Sequence, residues 1–155
     1  MVLSKTCDYG LRAALYLAAN DDREFIPIKE ISEKLNISFH FLTKILQILT
    51  QEDILTSFKG PKGGVKLAMP AKTISLRKVI EAIDGEGLFT RCVIGLDTCS
   101  PEHPCPLHSE WEPLRDRISR LFEKNTLFEM AVKLRSNQFR VTDVPFGIQP
   151  TKHTK

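Results

Sequence analysis

The sequence predicts a mainly α-helical protein: a winged helix-turn-helix with a small β-hairpin wing and a long C-terminal dimerisation helix. Three observations carry this reading. Apolar residues recur at helical spacing in short segments separated by tight turns over the first fifty residues, the pattern of a helix-turn-helix. Two short apolar runs then flank Gly60-Pro61-Lys62-Gly63-Gly64, the composition of a hairpin with a glycine-bearing tip. A long amphipathic pattern follows from about Ser109.

Taken in order, the first helix runs from Thr6 to Ala19, with Leu11, Ala14, Leu15 and Ala18 on its apolar face and Thr6 as its expected N-cap. Asn20-Asp21-Asp22 breaks it. Pro27 favours a new helix start, and Ile28, Ile31 and Leu35 define a short second helix that Asn36 ends. Ser38 can cap a third, whose stripe is Phe41, Leu42, Ile45, Leu46 and Leu49. Ile54 to Phe58 and Val65 to Met69 form the hairpin, and a hairpin placed directly after a recognition helix is a wing. Ser75 caps a helix to Ile83 that buries Leu76, Val79, Ile80 and Ile83, and Gly85 and Gly87 stop it. The long pattern then places Trp111, Leu114, Ile118, Leu121 and Phe122 on one stripe, more apolar than a lone helix needs, so a homodimer is expected. Thr126 caps a continuation through Leu127, Met130, Val132 and Leu134. The chain thus divides into a DNA-binding domain (1–85), a cysteine-rich cluster-binding loop (86–108), dimerisation helices (109–136) and an irregular tail (137–155).

A chain of 155 residues with 42% hydrophobic composition can build one ordinary core without disulfide staples. It has no apolar run long enough to span a bilayer, and its first residues carry helical periodicity instead of a signal-peptide pattern, so a cytoplasmic protein with no membrane partner is expected. In a reducing compartment, its four cysteines are expected as thiols or metal ligands. The net charge of +3 permits nucleic-acid binding without arguing for it, and the placement of the lysines matters more. Neither a C-x-x-C redox motif nor an acid/base pair for a substrate pocket is evident, so no enzyme is expected.

In a helix-turn-helix the second helix enters the major groove, and here its N-terminal side chains are Ser38, His40, Phe41, Thr43 and Lys44. Hydroxyls and the ammonium can reach base edges or phosphates, and Phe41 can meet a thymine methyl or serve as core. On the wing, Lys59, Lys62 and Lys66 place positive charge where phosphates run, although lysines on a strand edge also discourage pairing with other chains. The most informative feature is the run RCVIGLDTCSPEHPCPLH, in which Cys92, Cys99 and Cys105 fall on one irregular loop at C-x6-C-x5-C spacing. Soft thiolates so gathered select an iron–sulfur cluster, zinc or cuprous ion. His108 follows closely as a fourth ligand, with His103 competing, while Cys7 suits an inert buried position. Zinc sites use tighter pairs, so the wide spacing favours a cluster, with metal-free thiol oxidation and a zinc-binding protein-interaction module as the alternatives.

With these motifs in view, the chain resembles the bacterial iron–sulfur winged-helix regulators of the IscR/NsrR type. The resemblance is carried by LSKTCDYGLRAALYLA, IKEISEKLNISFHFLTKILQIL, SFKGPKGGVKLA, ISLRKVIEAIDG and the spaced cysteines ending in CPLH. It implies a homodimer whose long C-terminal helices pack together, each protomer holding one cluster (2Fe–2S favoured, 4Fe–4S the alternative) and presenting a winged helix to a palindromic operator in double-stranded DNA. It also implies Cys92, Cys99 and Cys105 as cluster ligands. His108 matches the histidine that completes one type of site, and Asp8 the aspartate that a partner subunit supplies to the other. The first cysteine interval is one residue longer than the usual one of IscR. Ser38, His40, Phe41, Lys44, Lys59 and Gly60 fall where the family approaches DNA, with Lys59 in place of an arginine; lysine keeps the charge but lacks the planar fork.

Overall fold

The first helix, α1 (Lys5–Ala19), is capped by Ser4, whose hydroxyl accepts the Cys7 N–H at 3.0 Å. Thr6, the expected cap, lies inside the first turn. Adjacent polar residues offer the same local signal, and a distant partner decides between them: Ser4 donates to the Asp84 carboxylate through its hydroxyl and, at 2.9 Å, through its peptide N–H. The computed structural model describes residues 2–143. Residues 144–155 of the expected irregular tail lie outside the described residues.

The remaining elements are α2 (Ile28–Leu35), α3 (Phe39–Gln51), β1 (Leu55–Phe58), β2 (Gly64–Leu67), α4 (Leu76–Asp84), α5 (Gly87–Thr90), α6 (His108–Lys124) and α7 (Leu127–Arg135). A single 3-10 turn, Ala71–Thr73, joins β2 to α4. α1 is the central helix, in contact with α2, α3, α4, α7 and β2. Small residues make this possible. Ala13, Ala14 and Ala18 are fully buried, and a Cβ at Gly10 would stand 2.2 Å from Ile83 Cδ1 and 3.2 Å from Ile45 Cγ2, so glycine is what lets α3 and α4 close on the same turn.

α2 is held to α1 by a polar clamp: Arg23 makes two hydrogen bonds to Glu30, at 2.5 and 2.9 Å, and the Tyr16 hydroxyl donates to the same carboxylate at 2.8 Å. The Arg23 hydrogen bonds hold the Glu30 carboxyl below its ordinary range against partial burial, and Tyr16 adds to the lowering. Asn36, in the left-handed region at φ 53°, ends α2, and Ile37 N–H donates back to Ser32 O. This turn aims α3. Ser38 occupies the cap position of α3, but its side chain makes no capping hydrogen bond.

The hairpin is antiparallel, with Leu55 opposite Leu67 and Phe58 opposite Gly64. At its open end it is shorter than the apolar runs predict, with Ile54 buried in the core and its carbonyl accepting the Ala68 N–H, while at the tip Gly64 joins the pairing opposite Phe58. Ile26 and Val65 exchange two hydrogen bonds of 3.0 Å, which anchors the wing to the chain before α2. That approach requires glycine at 64, where a Cβ would lie 2.1 Å from the Ile26 carbonyl oxygen.

Two corrections concern the C-terminal half. Gly87, expected only to stop α4, opens the short α5, after Gly85 (φ 74°) has ended α4. α7, capped at Thr126 as expected but grouped with α6 as dimerisation helices, follows extended Asn125 and packs into the winged-helix core. Its capping box pairs Thr126 with Glu129, and Leu127, Ala131 and Leu134 are buried in the main core cluster. Arg135 then donates to the Ala18 and Ala19 carbonyls at the end of α1. α6 instead covers a second, smaller cluster of Cys7, Ile80 and Phe89 with Ile118 and Phe122. Of the expected dimer stripe, only Leu114 and Leu121 are free, 48% and 50% exposed. Beyond α7, residues 137–143 have no helix or strand, yet Val141 reaches the main core.

This packing predicts that Leu127→Ala lowers unfolding free energy by about 2–5 kcal/mol, and Thr126→Ala by about 1 kcal/mol. Urea unfolding followed by circular dichroism measures both. A Leu127→Ala cost no larger than that of a surface substitution would place α7 outside the core.

Candidate functional site

Two constellations stand apart from the core. The first is the face shared by α3 and the wing. Leu42, Ile45, Leu46 and Leu49 turn inward, leaving Ser38, Phe39, His40, Lys44, Gln47 and Gln51 exposed. The Thr43 hydroxyl donates to Phe39 O at 2.7 Å, which commits its proton within the helix and leaves its lone pairs to accept. Phe41 is half-buried and meets the Tyr9 ring edge-on at 5.5 Å, so its ring is engaged in packing against α1. The exposed aromatic of this turn is Phe39, 45% accessible, which sequence reasoning missed. It is the first residue of α3 and lies past the edge of the core.

A groove of about 690 Å³ separates α3 from the hairpin, with Phe39, Thr43 and Gln47 on one wall and Phe58, Lys59 and Gly60 on the other. Lys59 and Lys62 point into solvent at the tip. Lys66 lies back instead, its ammonium 4.8 Å from the centroid of Phe25, which in turn stacks against Phe58. Gly60 has φ 130°, a conformation that other residues rarely adopt.

The second constellation is the cysteine loop. α6 fixes its entry: Trp111 Nε1–H donates to Arg91 O at 2.9 Å and Arg115 to Thr90 O at 3.3 Å, immediately before Cys92. Arg77 of α4 reinforces the arrangement, lying over the Phe89 ring and donating to Ser119. The loop exit is fixed by His108, the first residue of α6, whose N–H donates to Cys105 O at 3.0 Å.

Within this frame lie the four expected donors. Burial alone would raise the Cys92 thiol, but hydrogen bonds from the peptide groups of Ile94, Leu96 and Gly95 and from the Cys105 side chain outweigh it, and the pKa falls below the ordinary value. Cys99 Sγ stands 3.4 Å from His108 Nδ1. His108 is only 7% exposed, and its Nε2 has no hydrogen-bond partner. All four cysteines of the chain are free thiols, with Cys92 and Cys105 buried and Cys99 partly accessible. Among the described residues, no three histidine, cysteine, aspartate or glutamate side chains converge on a point suited to a single metal ion. By chemistry, three thiols and an imidazole are a donor set of the kind that iron–sulfur clusters take.

The competing residues lie elsewhere. His103 is exposed on the loop. Asp8 sits in the first turn of α1, where its charge acts on Cys7. Cys7 is fully buried, and burial, with Asp84 and Asp8 beside it, pushes its pKa up to about 12.

A family model described as Rrf2, iron-dependent transcriptional regulator, matches residues 3–133. The HTH-type transcriptional regulator IscR of Escherichia coli is 32% identical over 130 residues, which cover 84% of this chain and 80% of that one. The fold is similar to that of CymR, the global cysteine regulator of B. subtilis, with a TM-score of 0.74 at 23% identity over 84% of this chain and 96% of that one. It is likewise similar to T. potens IscR, with a TM-score of 0.70 at 21% identity over 88% and 90%. Among the described residues, no helix is long and apolar enough to cross a membrane.

The thiol environments predict an order of reactivity in the metal-free folded protein. Iodoacetamide at pH 8 should modify Cys99 first and leave Cys7 untouched until unfolding, because only Cys99 combines access with a neighbouring imidazole. Peptide mass mapping over time measures this, and early labelling of Cys7 would contradict its burial.

Proposed function

The chain belongs to the Rrf2 family of transcriptional regulators, and from that premise we propose that it binds a two-half-site DNA operator as a homodimer and senses iron–sulfur, nitric oxide or redox status through a cluster held by Cys92, Cys99, Cys105 and His108. What supports the sensing part is that one loop carries three thiols and leads into His108, with Cys99 Sγ 3.4 Å from His108 Nδ1. Three thiolates and an imidazole suit a 2Fe–2S cluster, which takes two protein ligands on each iron. When bound, such a cluster supplies one-electron redox chemistry and a lability that reports on its surroundings.

The protein's own residues do the rest. The N–H groups of Ile94, Gly95 and Leu96 favour a thiolate at Cys92, ready to bind. Trp111 and Arg115 tie the loop entry to α6, so a change in the loop bears on the helix that exposes Leu114 and Leu121. Those two leucines, with Arg117, Arg120 and Lys124 around them, support the homodimer through α6. On the DNA side, Ser38, His40, Thr43 and Lys44 lie at the start of α3 for the major groove, and Lys59, Gly60 and Lys62 form the wing tip for the backbone. Phe41 supports them from behind by packing α3 on α1. The site of action is the cytoplasm.

Purified without oxygen, the wild-type protein should contain iron and sulfide and absorb visible light. Alanine at Cys92, Cys99 or Cys105 should abolish both, whereas Cys7→Ser retains them. Full retention in Cys99→Ala would overturn the proposed ligand set.

For the wing, the Lys59→Ala/Lys62→Ala double variant should lower the slope of log affinity against log salt by roughly 2, with base preference largely kept. Fluorescence anisotropy at several salt concentrations measures it. An unchanged slope would remove the wing tip from the DNA interface.

A further inference from the structure

Resting on the cluster reading, we propose that Glu112 is a positioning residue: its carboxylate accepts a hydrogen bond from His108 Nε2–H, and so makes Nδ1 the nitrogen that His108 presents to the cluster. Three observations converge. Nδ1 faces the sulfur of Cys99 at 3.4 Å. Nε2 faces away from that contact, is buried, and lacks a hydrogen-bond partner, an unfavourable position for a polar atom unless a partner is within reach. Glu112 Oε2 lies 3.3 Å from it, one helical turn on, outside hydrogen-bond geometry yet close enough that a small side-chain rotation completes the bond. Glu112 is partly exposed and free to make that rotation.

The chemistry gives this arrangement a direction. A neutral imidazole carries one N–H and one lone pair, and the group bonded to one nitrogen selects the role of the other. A carboxylate at Nε2 puts the proton there and leaves the lone pair on Nδ1. Ligating histidines characteristically donate their remaining N–H to a carboxylate, which fixes the ring and makes the ligand more basic. The i, i+4 spacing keeps His108 and Glu112 on one face of α6, so the helix itself sets the geometry.

The test uses full-length protein loaded anaerobically with ferrous iron and sulfide, containing histidine enriched in ¹⁵N at either Nδ1 or Nε2. In the reduced protein, the strong nitrogen hyperfine coupling should follow the Nδ1 label. Glu112→Ala should change that coupling and speed cluster loss to a chelator on the order of tenfold, and Glu112→Gln, which keeps an acceptor oxygen, should restore most of both. Strong coupling from the Nε2 label, or a Glu112→Ala protein indistinguishable from wild type, overturns the role of Glu112 while leaving a loaded cluster in place. An unchanged spectrum in His108→Ala overturns it by removing the histidine ligand. Wild-type protein that takes up no iron and sulfide overturns the cluster reading and this inference together.

Discussion

Everything in this molecule depends on how closely other helices approach α1. A glycine at position 10 and alanines at 13, 14 and 18 leave α1 with almost no side-chain thickness where α3, α4 and α7 cross it. Packing of this kind gains dispersion contacts only if the surfaces are complementary, and any added methyl forces the neighbours apart. The same helix contributes Cys7 to the smaller cluster beneath α6. One element therefore packs against both α3 and the small cluster that α6 covers. A regulator needs such a connection, because a ligand alters DNA affinity only if the two sites share a structural element with more than one arrangement.

The polar contacts are arranged around this spine. Ser4 with Asp84 joins the start of α1 to the end of α4, Arg135 caps the end of α1, and Glu30 gathers Tyr16 and Arg23 to set α2. Each closes a helix end or fixes an approach. By contrast, the loop from Cys92 to Cys105 is held mainly at its two ends, by α6 contacts at Thr90 and Arg91 and by the His108 turn. Its middle exposes Val93, Ile94 and Leu96. Between those ends, the contact of Cys99 with His108 ties the loop to the first residue of α6.

Local signals made much of the fold legible in the sequence. Asn36, Ser75 and Thr126 act where their chemistry places them, and the glycine-rich tip marks the hairpin. Other features were decided by distant residues. Ser4 prevails over Thr6 because of Asp84, eighty positions away, and α7 joins the first core because Leu127 and Leu134 find α1. Phe39, the first residue of α3, lies beyond the core's edge. At the cysteine loop, the residue types were legible, whereas the pairing of Cys99 with His108 and the orphaned Nε2 emerge only once α6 starts at His108.

The central claim is that the state of the cysteine loop changes the affinity of the winged helix for DNA. The most direct measurement takes DNA selected from a random pool by anaerobically loaded protein. Its affinity for that protein is then compared with its affinity for the same preparation after a chelator has removed the iron. The account predicts a difference of about tenfold or more, in the range of ordinary allosteric coupling, with the dimer preserved. Equal affinities in the two states would contradict it.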